Sequence, residues 1–126
     1  MADLPNRMRF AAGLAWLIGG GFLSGCAADG PNSVGDPQAG ATVIARSSCG
    51  SCHQIPGIGL ADGRVGPSLA SFGRQQLIAG TLPNSEPNLI LWLRHPRQVR
   101  PHGLMPDMGL TEGEARDVAA YLYQLQ

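Results

Sequence analysis

The feature that most constrains this chain is the run Cys49-Gly50-Ser51-Cys52-His53. Two thiols separated by two residues and followed directly by an imidazole form the C-x-x-C-H pattern, which is typical of covalent c-type haem attachment. The thiols can add across the two vinyl groups of haem, and the imidazole can then bind the iron. The pattern therefore predicts one covalently attached haem c, held by Cys49 and Cys52, with His53 as a metal ligand.

Two other kinds of site use closely spaced cysteines. A thioredoxin-like disulfide needs a βαβ context, and no alternating strand pattern precedes Cys49. A zinc site usually has four ligands, and the sequence has no second C-x-x-C or H-x-H pair. The cysteine count also agrees with haem, because only three are present and the motif uses two, which leaves Cys26.

Composition limits the size and the partners of the domain. The 126 residues carry nine basic and nine acidic side chains, for a formal net charge of zero. We therefore expect no nucleic-acid partner, because phosphate binding needs a basic excess. The 18 Gly and 10 Pro predict a loop-rich domain with a thin core, which is the kind of small domain that relies on a cofactor. We expect a monomer.

The N-terminal segment has the pattern of an export signal. Arg7 and Arg9 precede an apolar stretch over residues 10–23, which is too short to span the ~30 Å hydrocarbon core of a bilayer. The stretch ends in Leu23-Ser24-Gly25-Cys26, which resembles the lipobox of bacterial lipoproteins. Two alternatives remain, namely an uncleaved anchor and cleavage after Ala27 with an incidental Cys26.

This pattern predicts how the chain is divided and where it resides. Residues 1–25 are expected to be a lipoprotein signal peptide and residues 26–35 a flexible tether that starts at a lipidated Cys26. Residues 36–126 would form the haem domain. The protein is then exported and anchored to a membrane on the periplasmic side by its N-terminal lipid.

The sequence around and after the motif resembles the class I cytochromes c, above all the cytochrome domain fused to subunit II of haem–copper oxidases. The resemblance implies an all-α fold in which helices and long loops wrap around one covalent haem. The sequence departs from the family pattern at Ile44, where an aromatic residue is usual, and in the order of residues 85–87. The matching stretches are Gly40-x-x-x-Ile44, Val65-Gly66-Pro67-Ser68-Leu69, Ala79-Gly80-Thr81-Leu82-Pro83-Asn84, Asn88-Leu89 with Trp92-Leu93, Met105-Pro106 and Ala119-Ala120-Tyr121-Leu122.

The resemblance also implies a second metal ligand opposite His53. Met105, followed by Pro106 in a loop before the last helix, stands where the family places its thioether ligand. The chain itself offers alternatives to Met105. The sixth coordination position of the iron, opposite His53, could be left open or taken by another side chain. The other candidate side chains are those of Met108, His95 and His102. A His/Met pair would give a higher reduction potential than two histidines.

Three further residues have roles that only the resemblance implies. The carbonyl of Pro67 would accept a hydrogen bond from the second ring nitrogen of His53, as ligating histidines generally require. Trp92 and Arg74 would contact a haem propionate. Without those roles, Pro67 is a turn proline, Trp92 a core residue and Arg74 solvated surface.

Local patterns predict the helices. The first should run from Asp36 to Ser47, with Asp36 as N-cap and a small Gly40 on the buried face, where Tyr121 could lean on it. Residues 54–73 should be loop, followed by short helices at 74–79 and 86–94. The last helix should begin at the capping box Thr111-Glu112-Gly113-Glu114.

These expectations favour a mono-haem electron carrier over an enzyme. The function expected first is one-electron transfer in a membrane-associated respiratory chain, with a terminal oxidase as the redox partner. An electron-transfer subunit of a periplasmic dehydrogenase is the alternative within the same class. A haem peroxidase or sensor would need an open sixth position beside acid–base groups, for which Arg100 and His102 are the nearest candidates.

Overall fold

The computed structural model describes residues 35–126. The predicted signal peptide, the lipidation site at Cys26 and all of the predicted tether except Gly35 lie outside the described residues, so these assignments stay predictions. Gly35 already packs on the fold, because a side chain there would collide with the carbonyl group of Arg116. No helix within residues 35–126 is long and apolar enough to cross a membrane.

The described chain is mostly helical and contains one small antiparallel hairpin. The helices predicted over 36–47, over 86–94 and after Thr111 are all present, and the prediction of an all-α fold is confirmed. The elements are α1 (Pro37–Arg46), a 3₁₀ turn (Cys49–Ser51), a second 3₁₀ turn (Phe72–Arg74), β1 (Leu77–Ile78), β2 (Leu82–Pro83), α2 (Glu86–Arg94), α3 (Pro96–Val99) and α4 (Glu112–Leu122).

Helices α1 and α4 pack against each other and cross at Gly40. A Cβ atom at Gly40 would overlap the carbonyl group of Asp117, so the missing side chain is what allows the two backbones to approach. The Asp117 carboxylate also accepts a hydrogen bond from the Asp36 N–H at 2.8 Å. The atoms of α4 nearest to Gly40 belong to Asp117 and Val118, one turn before Tyr121, and the expected contact between Tyr121 and Gly40 stays a prediction.

Both helices of this pair begin at the predicted caps. The Asp36 carboxylate accepts a hydrogen bond from the Gln38 N–H at 2.8 Å, and Pro37 occupies the first helical position. At α4 the Glu114 N–H donates to the Thr111 hydroxyl at 3.3 Å, and the Thr111 N–H donates to the Glu114 carboxylate at 2.8 Å. The Thr111 N–H lowers the pKa of Glu114, which keeps the capping box in its charged form.

The helix predicted over residues 74–79 is wrong, because the 3₁₀ turn ends at Arg74 and the chain then forms the first strand of the hairpin at Leu77–Ile78. Leu77 pairs with Pro83 and Ile78 with Leu82, in antiparallel register. The turn between the strands has Ala79 at φ 52° and Gly80 at φ 72°. Two successive residues with positive φ define the type I′ turn that suits the twist of a hairpin.

Asn84 fixes the path of the chain between the second 3₁₀ turn and β1. Its side-chain amide donates to the carbonyl groups of Phe72 at 3.1 Å and Gln75 at 2.9 Å. Its Oδ1 atom accepts a hydrogen bond from the Tyr123 hydroxyl at 3.0 Å. The Asn84 side chain therefore connects the second 3₁₀ turn to the C-terminal end of the domain. Its bonds to the Phe72 and Gln75 carbonyl groups favour the observed backbone over a continued helix.

The core lies between α1, α2 and α4 and extends under the loops. The α4 stripe predicted from periodicity is buried at Ala115, Val118, Ala119 and Leu122, and Leu125 is partly buried. The other buried apolar side chains come from every part of the described domain: Val43, Ile44, Ile55, Ala61, Phe72, Ile78, Leu89, Leu93 and Leu110.

Candidate haem site

The two motif thiols are brought to one side of a 3₁₀ turn directly after α1. Ser48 adopts the left-handed conformation (φ 56°), which ends the helix and redirects the chain. The N–H groups of Cys52 and His53 then donate to the Cys49 carbonyl at 3.2 and 3.0 Å. Side chains three residues apart eclipse each other in a 3₁₀ turn, so Cys49 and Cys52 project in the same direction. Both cysteines are partly exposed.

His53 is oriented by one hydrogen bond. Its Nδ1 atom lies 2.8 Å from the carbonyl oxygen of Pro67. A carbonyl can only accept, so Nδ1 carries the proton and Nε2 keeps its lone pair for a metal ion. This is the arrangement that a ligating histidine needs, because the second hydrogen bond fixes both the tautomer and the ring plane.

Gly66 makes room for the His53 ring. A Cβ atom built on Gly66 would lie 2.7 Å from Nδ1 and 2.9 Å from Nε2, and still closer to Cε1. The Gly66 N–H also donates to the Cys52 carbonyl at 2.8 Å, which places this residue across the ring. The sequence offered Gly66 only as part of a family match, and its direct role in seating the imidazole was missed.

The loop that carries Pro67 is fastened to the motif at several points. The Leu69 N–H donates to the Gln54 carbonyl at 2.9 Å, and the Gly63 N–H donates to the Gly50 carbonyl at 3.0 Å. Farther out, the Tyr121 hydroxyl donates to the Pro56 carbonyl at 2.6 Å and so joins the loop to α4. These contacts hold Pro67 against His53 from both the motif and the C-terminal helix.

Replacing Gly66 with alanine should disturb the seating of the His53 ring. We expect Gly66→Ala to displace the His53 ring, because the new Cβ has no room beside the ring nitrogens. Haem attachment should fall severalfold, as measured by haem staining of purified protein against total protein. Gly59→Ala is the matched control, because a Cβ at Gly59 meets nothing within 4 Å. Equal haem content in the two variants would show that Gly66 has no role in seating His53.

Comparison with known proteins identifies the family. The family model for cytochrome c matches residues 37–126. The chain belongs to the cytochrome c family. The cytochrome accordingly carries covalently bound haem c, attached at the C-x-x-C-H motif of Cys49 and Cys52, and it is a haem electron carrier. The predicted resemblance to class I cytochromes c is confirmed.

Two curated relatives are larger proteins. The cytochrome is 34% identical over 88 residues to cytochrome c oxidase subunit 2 of Alkalihalophilus pseudofirmus, a match that covers 69% of this chain and 25% of the relative. It is 37% identical over 87 residues to cytochrome c oxidase subunit 2 of Bacillus sp. strain PS3, covering 66% of this chain and 24% of the relative. The chain therefore spans about a quarter of the length of these relatives.

Both candidate methionines lie in the long loop between α3 and α4. Met105 and Met108 are each partly buried against the core, so burial alone does not distinguish them. Of the two histidines, His102 is exposed in the same loop and His95 is half-buried at the end of α2. The assignment of Met105 as the sixth ligand therefore continues to rest on the family resemblance.

The two residues predicted to contact a propionate occupy different environments. Trp92 lies in α2, partly buried beside the core, and Arg74 is exposed at the end of the second 3₁₀ turn. Neither side chain has a hydrogen bond within the described part of the chain. Their polar groups are thus left for another partner, as a propionate contact requires.

The residues present fit a large apolar cofactor. Several large apolar side chains are exposed, among them Val65 at 70%, Leu77 at 49% and Leu104 at 87%. Leu104 adjoins Met105, and Val65 adjoins the Gly66-Pro67 pair that seats His53. An apolar macrocycle suits such surfaces, and the His53 Nε2 lone pair suits its iron.

Proposed function

We propose that this cytochrome passes single electrons to a terminal oxidase of a respiratory chain while tethered to the membrane by a lipid on Cys26. His53 and Met105 are the two axial ligands in this proposal. The observation that carries the ligand role of His53 is its hydrogen bond with the Pro67 carbonyl, because a proton held at Nδ1 makes Nε2 the ring nitrogen that can bind the iron.

Each site residue has a distinct part in electron transfer. The haem, when bound, supplies the reversible one-electron couple. Cys49 and Cys52 hold it covalently, Pro67 fixes the tautomer of His53, and Met105 raises the reduction potential because a thioether favours the ferrous state. Trp92 and Arg74 are proposed to donate hydrogen bonds to a propionate.

The oxidase is proposed as the electron acceptor because both relatives are oxidase subunits that contain a region similar to this chain. A separate tethered cytochrome can supply the same function as a fused one if it is kept close to the enzyme. The eight residues between Cys26 and Gly35 can span at most roughly 30 Å, which would keep the haem close to the membrane surface.

Surface charge favours the tether over electrostatic steering. From Cys26 onward the chain contains seven arginines and eight acidic residues, so it has no strong basic field. Arg94 lies 3.7 Å from Glu112, and the Arg100 guanidinium donates to a backbone carbonyl. Of the three arginines spaced along 94–100, Arg97 alone projects without a partner in the described chain.

The test of this proposal is the oxidation of reduced cytochrome by membranes that contain the oxidase but lack this protein. Wild-type lipoprotein inserted in these membranes should be oxidised in air, and cyanide should block the reaction. Cys26→Ser, exported on a cleavable signal, should be oxidised much more slowly at equal total concentration, because a short tether gives an effective concentration in the mM range. Arg97→Gln should have a small, salt-sensitive effect.

Two outcomes would overturn the proposal. If membranes fail to oxidise the wild type, a terminal oxidase is not the acceptor, and a dehydrogenase should then be tried as the electron donor. If the Cys26→Ser form is oxidised as fast as the wild type, the lipid tether does not govern delivery. Peroxidase activity of the wild type would instead indicate an open sixth position.

A further inference from the structure

The loop that carries Met105 has little internal structure to hold it. It spans residues 100–111, between α3 and α4, and contains no helix or strand. Within the described chain its backbone hydrogen bonds are local: the Gly103 N–H donates to the Arg100 carbonyl at 2.9 Å, and the Gly109 N–H donates to the Asp107 carboxylate at 2.9 Å. Such a loop has many conformations available unless something outside it restricts them.

The Arg100 side chain supplies a connection to another element. Its Nη1 atom donates a hydrogen bond to the Ala79 carbonyl at 2.9 Å. Ala79 sits in the turn between β1 and β2, where its positive φ directs the carbonyl, and the Thr81 N–H closes the turn on Ile78 at 3.0 Å. Because Ile78 is fully buried, the acceptor belongs to a firmly anchored hairpin.

The backbone of Arg100 is fixed as well. Its N–H donates to the Pro96 carbonyl at 2.8 Å, and Pro96 is fully buried. Arg100 therefore joins two anchored points, the end of α3 and the hairpin turn, at the place where the Met105 loop begins. The loop's far end is held by the buried Leu110 and the Thr111 cap.

We propose that Arg100 is a positioning residue that holds the Met105 loop closed over the haem. The proposal rests on Met105 being the axial ligand. An iron–thioether bond is easily displaced, so the fraction of protein with Met105 dissociated depends on how freely the loop can open. A guanidinium that bridges the loop to the hairpin lowers that fraction, because opening must break a charge-assisted hydrogen bond.

Imidazole binding to the ferric protein measures this opening. Imidazole can take the sixth position only when Met105 has left it, so its apparent affinity increases with the open fraction. We expect Arg100→Gln to bind imidazole roughly three- to tenfold more tightly than wild type, the change that corresponds to the loss of one such hydrogen bond. Arg100→Lys keeps one donor and a positive charge, and it should recover part of the wild-type affinity.

Two control variants make the result specific. Arg97→Gln removes the same kind of side chain three residues away, where it is exposed. Tyr121→Phe removes the hydrogen bond to the Pro56 carbonyl and so loosens the His53 side of the site. Both should bind imidazole as the wild type does, even if Tyr121→Phe melts at a lower temperature.

The proposal is overturned if Arg100→Gln binds imidazole like the wild type, or if Tyr121→Phe shows the same increase, because the effect would then be general loosening. A different experiment shows whether the assignment of Met105 as the axial ligand is wrong. In that case Met105→Ala leaves the wild-type spectrum unchanged in the region of the sulfur-to-iron charge-transfer band, whatever Arg100→Gln does.

Discussion

The double variant Cys49→Ser/Cys52→Ser should lose its haem and with it the cooperative fold of the domain. Val65 and Leu104, which lie on two different loops, are largely exposed. These loops depend on a cofactor to cover their apolar side chains. A small domain is stable by only about 5–15 kcal/mol, so removing a large apolar filler is enough to unfold much of it. Far-UV circular dichroism should show a reduced helical signal and a broad thermal transition.

The third cysteine provides the control for this experiment. Cys26→Ser, exported on a cleavable signal, changes a thiol that lies outside the haem motif. It should keep the full haem content and a sharp melt. If the double variant melted as sharply as this control, the packing of α1 on α4 would be sufficient to fold the domain without haem.

Predictions made from local signals agree best with the structure. The Asp36 cap, the Thr111–Glu114 capping box and the apolar stripe of α4 each depend on residues within a few positions of one another. Hydrogen bonds and periodicity of this range are encoded in short stretches of sequence. The same reasoning identified the haem motif, because its three functional residues lie within five positions.

The failures all involve contacts between distant parts of the chain. Residues 74–79 were predicted to be helical, yet the Asn84 amide binds the Gln75 carbonyl and the Tyr123 hydroxyl binds Asn84, across 39 residues. The role of Gly66 depends on the position of the His53 ring, 13 residues away. The Arg100 bond to Ala79 spans 21 residues. No local pattern specifies such partners, so they are visible only once the fold is known.

Met105→Ala should have the largest effect on the redox properties of the cytochrome. Loss of the thioether should abolish the sulfur-to-iron charge-transfer band of the ferric protein. It should also lower the reduction potential, by roughly a tenth of a volt or more within the ~0.8 V range that axial ligands control. A weaker or harder sixth ligand no longer favours the ferrous state. Absorption spectra and potentiometric titration measure the two effects.

Met108→Ala is the matched control, because Met108 lies three positions farther along the same loop and is also partly buried against the core. It should keep the band and the potential while lowering thermal stability, since truncating a partly buried thioether removes packing contacts. If the band disappears in Met108→Ala and persists in Met105→Ala, the ligand is Met108. If it persists in both single variants, either methionine can bind the iron when the other is absent. If the wild type itself lacks the band, the iron is bound by neither methionine, and His102→Ala in the same loop becomes the variant whose spectrum decides between a histidine ligand and an open position.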